Sequence, residues 1–371
     1  MDPDGTALLS VLRDPHRGLA LDAATWNGLL ECGRRHALLG RLCVLFEESG
    51  LSPKLPQTVQ DVLADARLAA EANQTRQRYE VSRVLHALRG LDFPVVLLKG
   101  GAYLLAGLPA ARGRFSGDPD IMVPRGRIEE DERAMIAHGW TSRVTDTYDQ
   151  MYYREWSHQI PPLRHGERES ELDVHHSIAP PTGPANPDIE AILADARPVA
   201  EGSYRDERLR VLCPTDMVLH SAVHLFNEQM TMALRDLNDM RDLLDHFGRD
   251  ETFWPRLVRR AARHGVERPL FYCARYCRKY LGVAIPAPAE REIAALGPNA
   301  LVLAVMDRLV EAALIHAPPD RSAPRADFAG WLLFVRSHWL RMPLGMLLRH
   351  LAFKATRRVQ RDQRPESIPQ A

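Results

Sequence analysis

Long apolar runs are missing from this chain. The longest uninterrupted one, Ala300 to Met306, falls far short of the roughly 20 residues a membrane-spanning helix needs, so no transmembrane segment is expected. Cysteine is scarce as well. Cys32, Cys43, Cys213, Cys273 and Cys277 are odd in number and hold no Cys-x-x-Cys pair, which excludes zinc-ribbon, thioredoxin-like and disulfide-stapled readings. Charge of one sign is also lacking, since 48 Lys and Arg meet 48 Asp and Glu. A dedicated nucleic-acid binder would carry a basic excess. The opening Met-Asp-Pro-Asp-Gly lacks the basic and apolar regions of a signal peptide. Buried thiols in a reducing compartment, and hence a cytoplasmic protein, are the expectation. What is present is an ordinary globular balance, 45% hydrophobic and 26% charged over 371 residues, which excludes a disordered or collagenous chain.

The pattern divides the chain into three regions. Residues 1–90 read as an N-terminal helical region. Leu8, Leu9 and Leu12 begin one apolar stripe; Trp26, Leu29, Leu30, Ala37 and Leu38 make a second, followed by Leu42 and Leu45. Ala64 to Leu88 has no Gly or Pro and predicts one long helix. Residues 91–180 mix strands and helices. Val95 to Leu98 is a short buried strand meeting a turn at Lys99-Gly100-Gly101. Asp118 to Val123 reads as a second strand, Arg127 to His138 as a helix, Tyr148 to Trp156 as a strand by its aromatic content, and Glu171 to His175 as a half-buried strand. A Pro-rich linker, Pro180 to Pro187, opens residues 181–371, a C-terminal helical region with Thr215 as an N-cap. On its helices Asp236, Asp242 and Asp245 are expected to be solvated. Trp331 to Arg361 is apolar first and basic later. Helix packing is its default reading and a peripheral membrane or partner contact the other, with fraying beyond Arg361. The fold class is therefore α/β (α+β), a small mixed-sheet core flanked by helical regions.

The chemistry concentrates in carboxylates. Asp118 and Asp120, two apart on a predicted strand, point to one face and repel unless cations neutralise them. Asp173 shares its strand face with Glu171 and His175. Three convergent carboxylates suit two Mg²⁺ ions about 4 Å apart, and oxygen-only ligands favour Mg²⁺ or Mn²⁺ over zinc. Gly100 and Gly101, between a strand and a helix start, allow backbone N–H groups to approach a phosphate; Lys99, Arg112 and Arg114 are cations for the same phosphates. His220 and His224 share a helix face. Their intervening Ser-Ala-Val lacks a metalloprotease glutamate, so they read as a packed pair, with a zinc hydrolase as the outlying alternative. His175 and His176 point to opposite strand faces.

In this order the motifs resemble the nucleotidyltransferase superfamily: Leu98-Lys99-Gly100-Gly101, then Asp118-Pro119-Asp120, then Leu172-Asp173-Val174. More narrowly, the chain is similar to a bacterial group of uncharacterised nucleotidyltransferase-like proteins. That group's Leu-Lys-Gly strand end, Arg before the acidic pair and Asp-x-His after it stand here as Leu98-Lys99-Gly100, Arg114 and Asp173-Val174-His175. Its helical His-x-x-x-His with a following basic residue and Asp is matched by His220, His224, Arg235 and Asp239. The likeness spans roughly residues 20–250. It departs at Pro119, where an aliphatic residue is usual, and at Ser221 and Val223, which replace Gly and Lys.

The resemblance implies a Mg²⁺- or Mn²⁺-dependent transfer of a nucleoside monophosphate from an NTP, ATP foremost, to a hydroxyl-bearing acceptor. Asp118 and Asp120 would hold both metals, and Asp173 would hold one and help deprotonate the acceptor. Gly100 and Gly101 would grip the β- and γ-phosphates. A small molecule, peptide or protein is the expected acceptor, a long nucleic acid the least expected. The alternative is a non-catalytic nucleotide-binding module on the same fold.

Overall fold

The computed structural model describes residues 3–199, 206–227, 230, 232–314, 324–351 and 353. Four helices come first: α1 (Pro3–Arg13), α2 (Ala23–Arg35), α3 (Leu39–Glu48) and α4 (Gln57–Ala87). Asp22 caps α2 by accepting from the Thr25 N–H, which satisfies one of the donors a helix start leaves open. The second apolar stripe is not one helix. α2 stops at Arg35, and Ala37 takes a positive φ of 52° before Leu38 leads into α3. α4 runs uninterrupted, as its lack of Gly and Pro predicts, and its far half turns polar residues inward.

The central region supplies β1 (Val95–Leu98), α5 (Lys99–Leu105), β2 (Asp120–Met122), α6 (Ile128–Ala137), β3 (Trp140–Ser142), α7 (Thr147–Met151), β4 (Leu163–His165) and β5 (Glu171–His175). After the proline-rich stretch come α8 (Ile189–Ala194), β6 (Arg197–Pro198) and β7 (Leu209–Val211). The seven strands form one mixed sheet in the order β3-β4-β5-β2-β1-β7-β6. β1 is central and buried along its whole length, which is why it reads as a continuous apolar run. It pairs antiparallel with β2 and parallel with β7, while β2 pairs parallel with β5. Two strands from beyond residue 180 thus complete the sheet.

The rest is helical: α9 (Pro214–Asn227), α10 (Ala233–Phe247), α11 (Phe253–His264), α12 (Glu267–Leu281), α13 (Ala287–Ala295), α14 (Ala300–Ala313) and α15 (Pro324–Arg341). One apolar cluster runs continuously from Leu8 to Leu333 and joins both helical regions to the sheet. No single described helix is long and apolar enough to cross a membrane.

Several sequence expectations need correction. Tyr148 to Trp156 is not a strand but α7 followed by a π-helical turn over Tyr152–Trp156. Asp146 caps α7 by accepting from the Tyr148 and Asp149 N–H groups, and the Tyr148 ring stacks on Phe353 at 3.9 Å. Capping and aromatic packing override the strand preference of the side chains. β2 starts only at Asp120, with Asp118 in the preceding bend, because proline at 119 brings no N–H to a ladder. Pro214, not a cap at Thr215, begins α9. Asp242 is buried against Arg41 and Arg241 rather than solvated, and Asp236 is half-buried against Arg235; Asp245 is exposed as expected. The segment after Arg361, expected to fray, lies outside the described residues.

Candidate active site

Strand register builds the site. Leu98, the residue before Lys99, lies opposite Asp120, and Asp120 lies opposite Asp173 on the other side. Lys99 just past the end of β1, Asp120 on β2 and Asp173 on β5 therefore line one edge of the sheet, with the three neighbouring strands spaced roughly 4.8 Å apart. Lys99 adopts a positive φ of 45° at the turn from β1 into α5. Its Nζ donates to Asp120 Oδ1 at 2.9 Å. His175, two residues beyond Asp173 on the same strand face, places Nε2 at 3.2 Å from that same oxygen. Among the described residues, Asp120, Asp173 and His175 form the group able to hold a metal ion, each offering an atom within 4.8 Å of the others.

The electrostatics of this cluster are set by burial. It pushes the His175 imidazole down to about 4, helped by Lys99 and His158 and opposed by Asp120. His175 is therefore neutral near pH 7. Burial would raise the Asp120 carboxyl, but Lys99 and the His175 contact together hold it far below the usual carboxylate range. With the imidazole neutral, the charge that keeps Asp120 ionised is the Lys99 ammonium. His220 of α9 stands edge-on to His175 with ring centroids 6.3 Å apart, and burial holds its pKa well below the ordinary value. His158, which sequence reading did not single out, stands at 5.2 Å from the His175 ring. Its signal in the sequence is nil, since it precedes β4 and reaches the site through an isolated bridge between Gln159 and His175.

The other sequence candidates are distributed around this cluster. Asp118 is exposed and accepts from the Glu171 N–H at 3.3 Å, outside the group of three. Arg114 is buried and turned to Asp239 of α10, 2.7 Å away, and to the Ser116 hydroxyl at 2.5 Å. Burial opposes the Arg114 charge, and Asp239 more than restores it, raising its pKa. Arg235 pairs with its neighbour Asp236. Arg112 is exposed and paired with Glu48 of α3. His224 is half-buried one helical turn beyond His220.

The two glycines differ in role. A Cβ on Gly100 would stand 2.3 Å from Arg114 Nη1 and 2.4 Å from Ser116 Oγ, whereas one on Gly101 would meet nothing closer than 3.8 Å. Gly100 thus makes room for the Arg114–Asp239 pair behind the site. The loop bearing Arg114 and Ser116 is held by amides of α4. Asn73 exchanges two hydrogen bonds with the Ser116 backbone, and Gln74 and Gln77 donate to the carbonyls of Ala111 and Gly117. These amides fix the approach to Asp118 and Asp120. Beyond them, the Tyr103 hydroxyl lies 2.6 Å from that of Ser221, so the serine that replaces the group's usual glycine ties α9 to α5.

No curated protein and no solved structure matches the chain. A family model does, over residues 22–282, more than two thirds of the length. Its description is Uncharacterised nucleotidyltransferase. With that coverage, and a mixed sheet that brings Lys99, Asp120 and Asp173 to one edge, the chain belongs to this nucleotidyltransferase family.

Proposed function

We propose that the chain transfers a nucleoside monophosphate from an NTP, ATP foremost, to a hydroxyl on a small molecule, peptide or protein, within the cytosol. The observation that carries this reading is the direct opposition of Asp120 and Asp173 in parallel strands, with His175 closing the group. Two carboxylates suit Mg²⁺ or Mn²⁺, and the imidazole inclines the set towards Mn²⁺. A divalent ion held there would neutralise charge on the triphosphate and on the departing pyrophosphate.

The chain's own groups divide the remaining work. Lys99 would pass from Asp120 to a phosphate oxygen as the nucleotide enters. Asp173 would take the proton of the acceptor hydroxyl while its oxygen bonds the α-phosphorus and the bond to pyrophosphate breaks. Asp118 stays in the proposal as the outer carboxylate of the pair, and Gly100 and Gly101 as the turn beneath the phosphates. Arg114, Asp239, His220, His224 and Arg235 support the cluster from behind. We assign the catalytic roles to residues 91–180 as the catalytic core, with residues 1–90 and 181–371 flanking it and the latter supplying the supporting His220, His224, Arg235 and Asp239.

Calorimetric titration with a non-hydrolysable ATP analogue, with and without Mg²⁺ or Mn²⁺, tests the reading. Metal-dependent binding by the wild type should weaken at least tenfold in Asp120→Asn and in Asp173→Asn, with NTP turnover lost in both. The Lys99–Asp120 pair favours one other reading, a binding module in which the lysine takes the metal's place. Equal affinity with and without metal, and no turnover, would establish that module instead. A zinc hydrolase is not supported, because His220 and His224 gather no third ligand among the described residues.

A further inference from the structure

The C-terminal helices carry an apolar surface that the active site does not use. α15 is apolar on two opposite faces. Ala329, Leu333 and Ser337 form the inner one, packed on the body, and Arg336 anchors it by donating to the Phe226 carbonyl and lying over the Tyr272 ring at 5.5 Å. Phe328, Trp331, Val335 and Trp339, spaced three and four apart, form the outer one. This outer row is open to solvent, with Phe328 60%, Trp331 57% and Trp339 67% exposed. Isolated exposed apolar residues are ordinary, but a contiguous row of large ones marks an interaction surface. The row continues past Pro343, where residues 344–351 are helical and leave Leu344 and Leu348 exposed. On the other side α14, which packs against α15, exposes Leu301 and Val305.

Charge names the occupant. The sequence has no carboxylate between Asp327 and Asp362, and in that interval it carries Arg336, Arg341, Arg349, Lys354, Arg357, Arg358 and Arg361. Arg336 is turned into the protein core and Arg349 is exposed, while Lys354, Arg357, Arg358 and Arg361 lie outside the described residues. A second copy docked on this face would set two such basic stretches against each other, with Asp327 the one carboxylate on α15. An anionic lipid surface offers the opposite charge over a wide area and an apolar layer just below, where tryptophan is favoured. We infer that the outer face of α15, with residues 344–351 and the edge of α14, docks the protein on an anionic lipid bilayer. The apolar row enters the headgroup boundary, and Arg349 with the cations that follow it in the sequence meets lipid phosphates. This holds whether or not the sheet-edge site transfers nucleotides.

Flotation with vesicles of 30% phosphatidylglycerol in phosphatidylcholine, against pure phosphatidylcholine, reads the docking. The wild type should float with the anionic vesicles at least tenfold more than with the neutral ones, and less as salt rises. Trp331→Ser/Trp339→Ser should lose at least tenfold of that partition while keeping its far-ultraviolet circular dichroism and thermal transition. Wild type on anionic vesicles containing brominated phosphatidylcholine should show quenched tryptophan emission, a readout that stands even where the double variant fails to fold. Three results would overturn the inference: no flotation with anionic vesicles, no quenching by brominated lipid, or a lipid-free dimer in sedimentation velocity that Trp331→Ser/Trp339→Ser dissociates. The last would assign the face to a second copy.

Discussion

Asp131 of α6 is fully buried, and neither carboxylate oxygen meets a hydrogen-bond donor among the described residues. Burial, with Glu132 adding, pushes its carboxyl up to about 7. The unfolded chain releases that proton near the ordinary aspartate value of about 3.9. Between about pH 4 and 7 the folded state therefore holds a proton that the unfolded state has lost, and stability falls as pH rises. Across about three pH units this amounts to roughly 4 kcal/mol at most. Asp131→Asn should be more stable than wild type at pH 8 by about 2–4 kcal/mol, with the gap closing towards pH 4, as read by urea denaturation at both pH values. His176 acts with the opposite sign. Burial lowers it to about 4, so its contribution is lost as pH falls from about 6.5 towards 4. Comparing variant with wild type at each pH separates the two. At this scale Asp120 and Asp173 were legible as neighbours because each sits on a strand with its own pattern, whereas the separation of Asp118 from Asp120 was not, since Pro119 keeps Asp118 out of β2. The packing of Gly100 was not, because the side chain that fills its space belongs to Arg114, fourteen positions on and placed only by the loop that α4 holds.

Between elements, the pairing of Arg41 on α3 with Asp242 on α10 is the clearest structural tie that the sequence concealed. On α10 alone, Asp242 looks like one more acid on a polar face. Its partner lies some two hundred residues away, and Arg41 also donates to the carbonyls of Pro109 and Arg112. Arg41→Met should cost about 3 kcal/mol, because it strands a buried carboxylate, with Arg241 moderating the loss. Arg41→Met/Asp242→Leu should recover most of it, and thermal denaturation of the two variants measures the difference. β1 and β5 were legible as elements because each carries its own signal, a continuous apolar run or strict alternation. α7 was not, since Tyr148 finds Phe353 and His350 only in the folded protein.

At the scale of the molecule, the strand-borne sequence motifs and the sheet do not end at the same place. These strand motifs finish by His175, while β1 takes its second neighbour, β7, from residues Leu209–Val211. A fragment of residues 91–180 leaves β1 with one side unpaired and its apolar length uncovered, the arrangement that invites aggregation. Such a fragment should be recovered as soluble aggregate or precipitate, whereas residues 1–314 should give a cooperative thermal transition. Solubility and circular dichroism of the two fragments check this.

The same β1–β7 pairing imposes an order in time on synthesis. A ribosome working at 5–20 residues per second needs on the order of ten seconds to pass from Val95 to Leu209. Over the last third of that interval, from Asp173 to Leu209, the nascent chain already contains Lys99, Asp120 and Asp173 but not the strand that holds Lys99's strand in place. The candidate site thus cannot mature before β7 is made, and until then the open side of β1 is a strand edge that only shielding keeps from pairing with another chain.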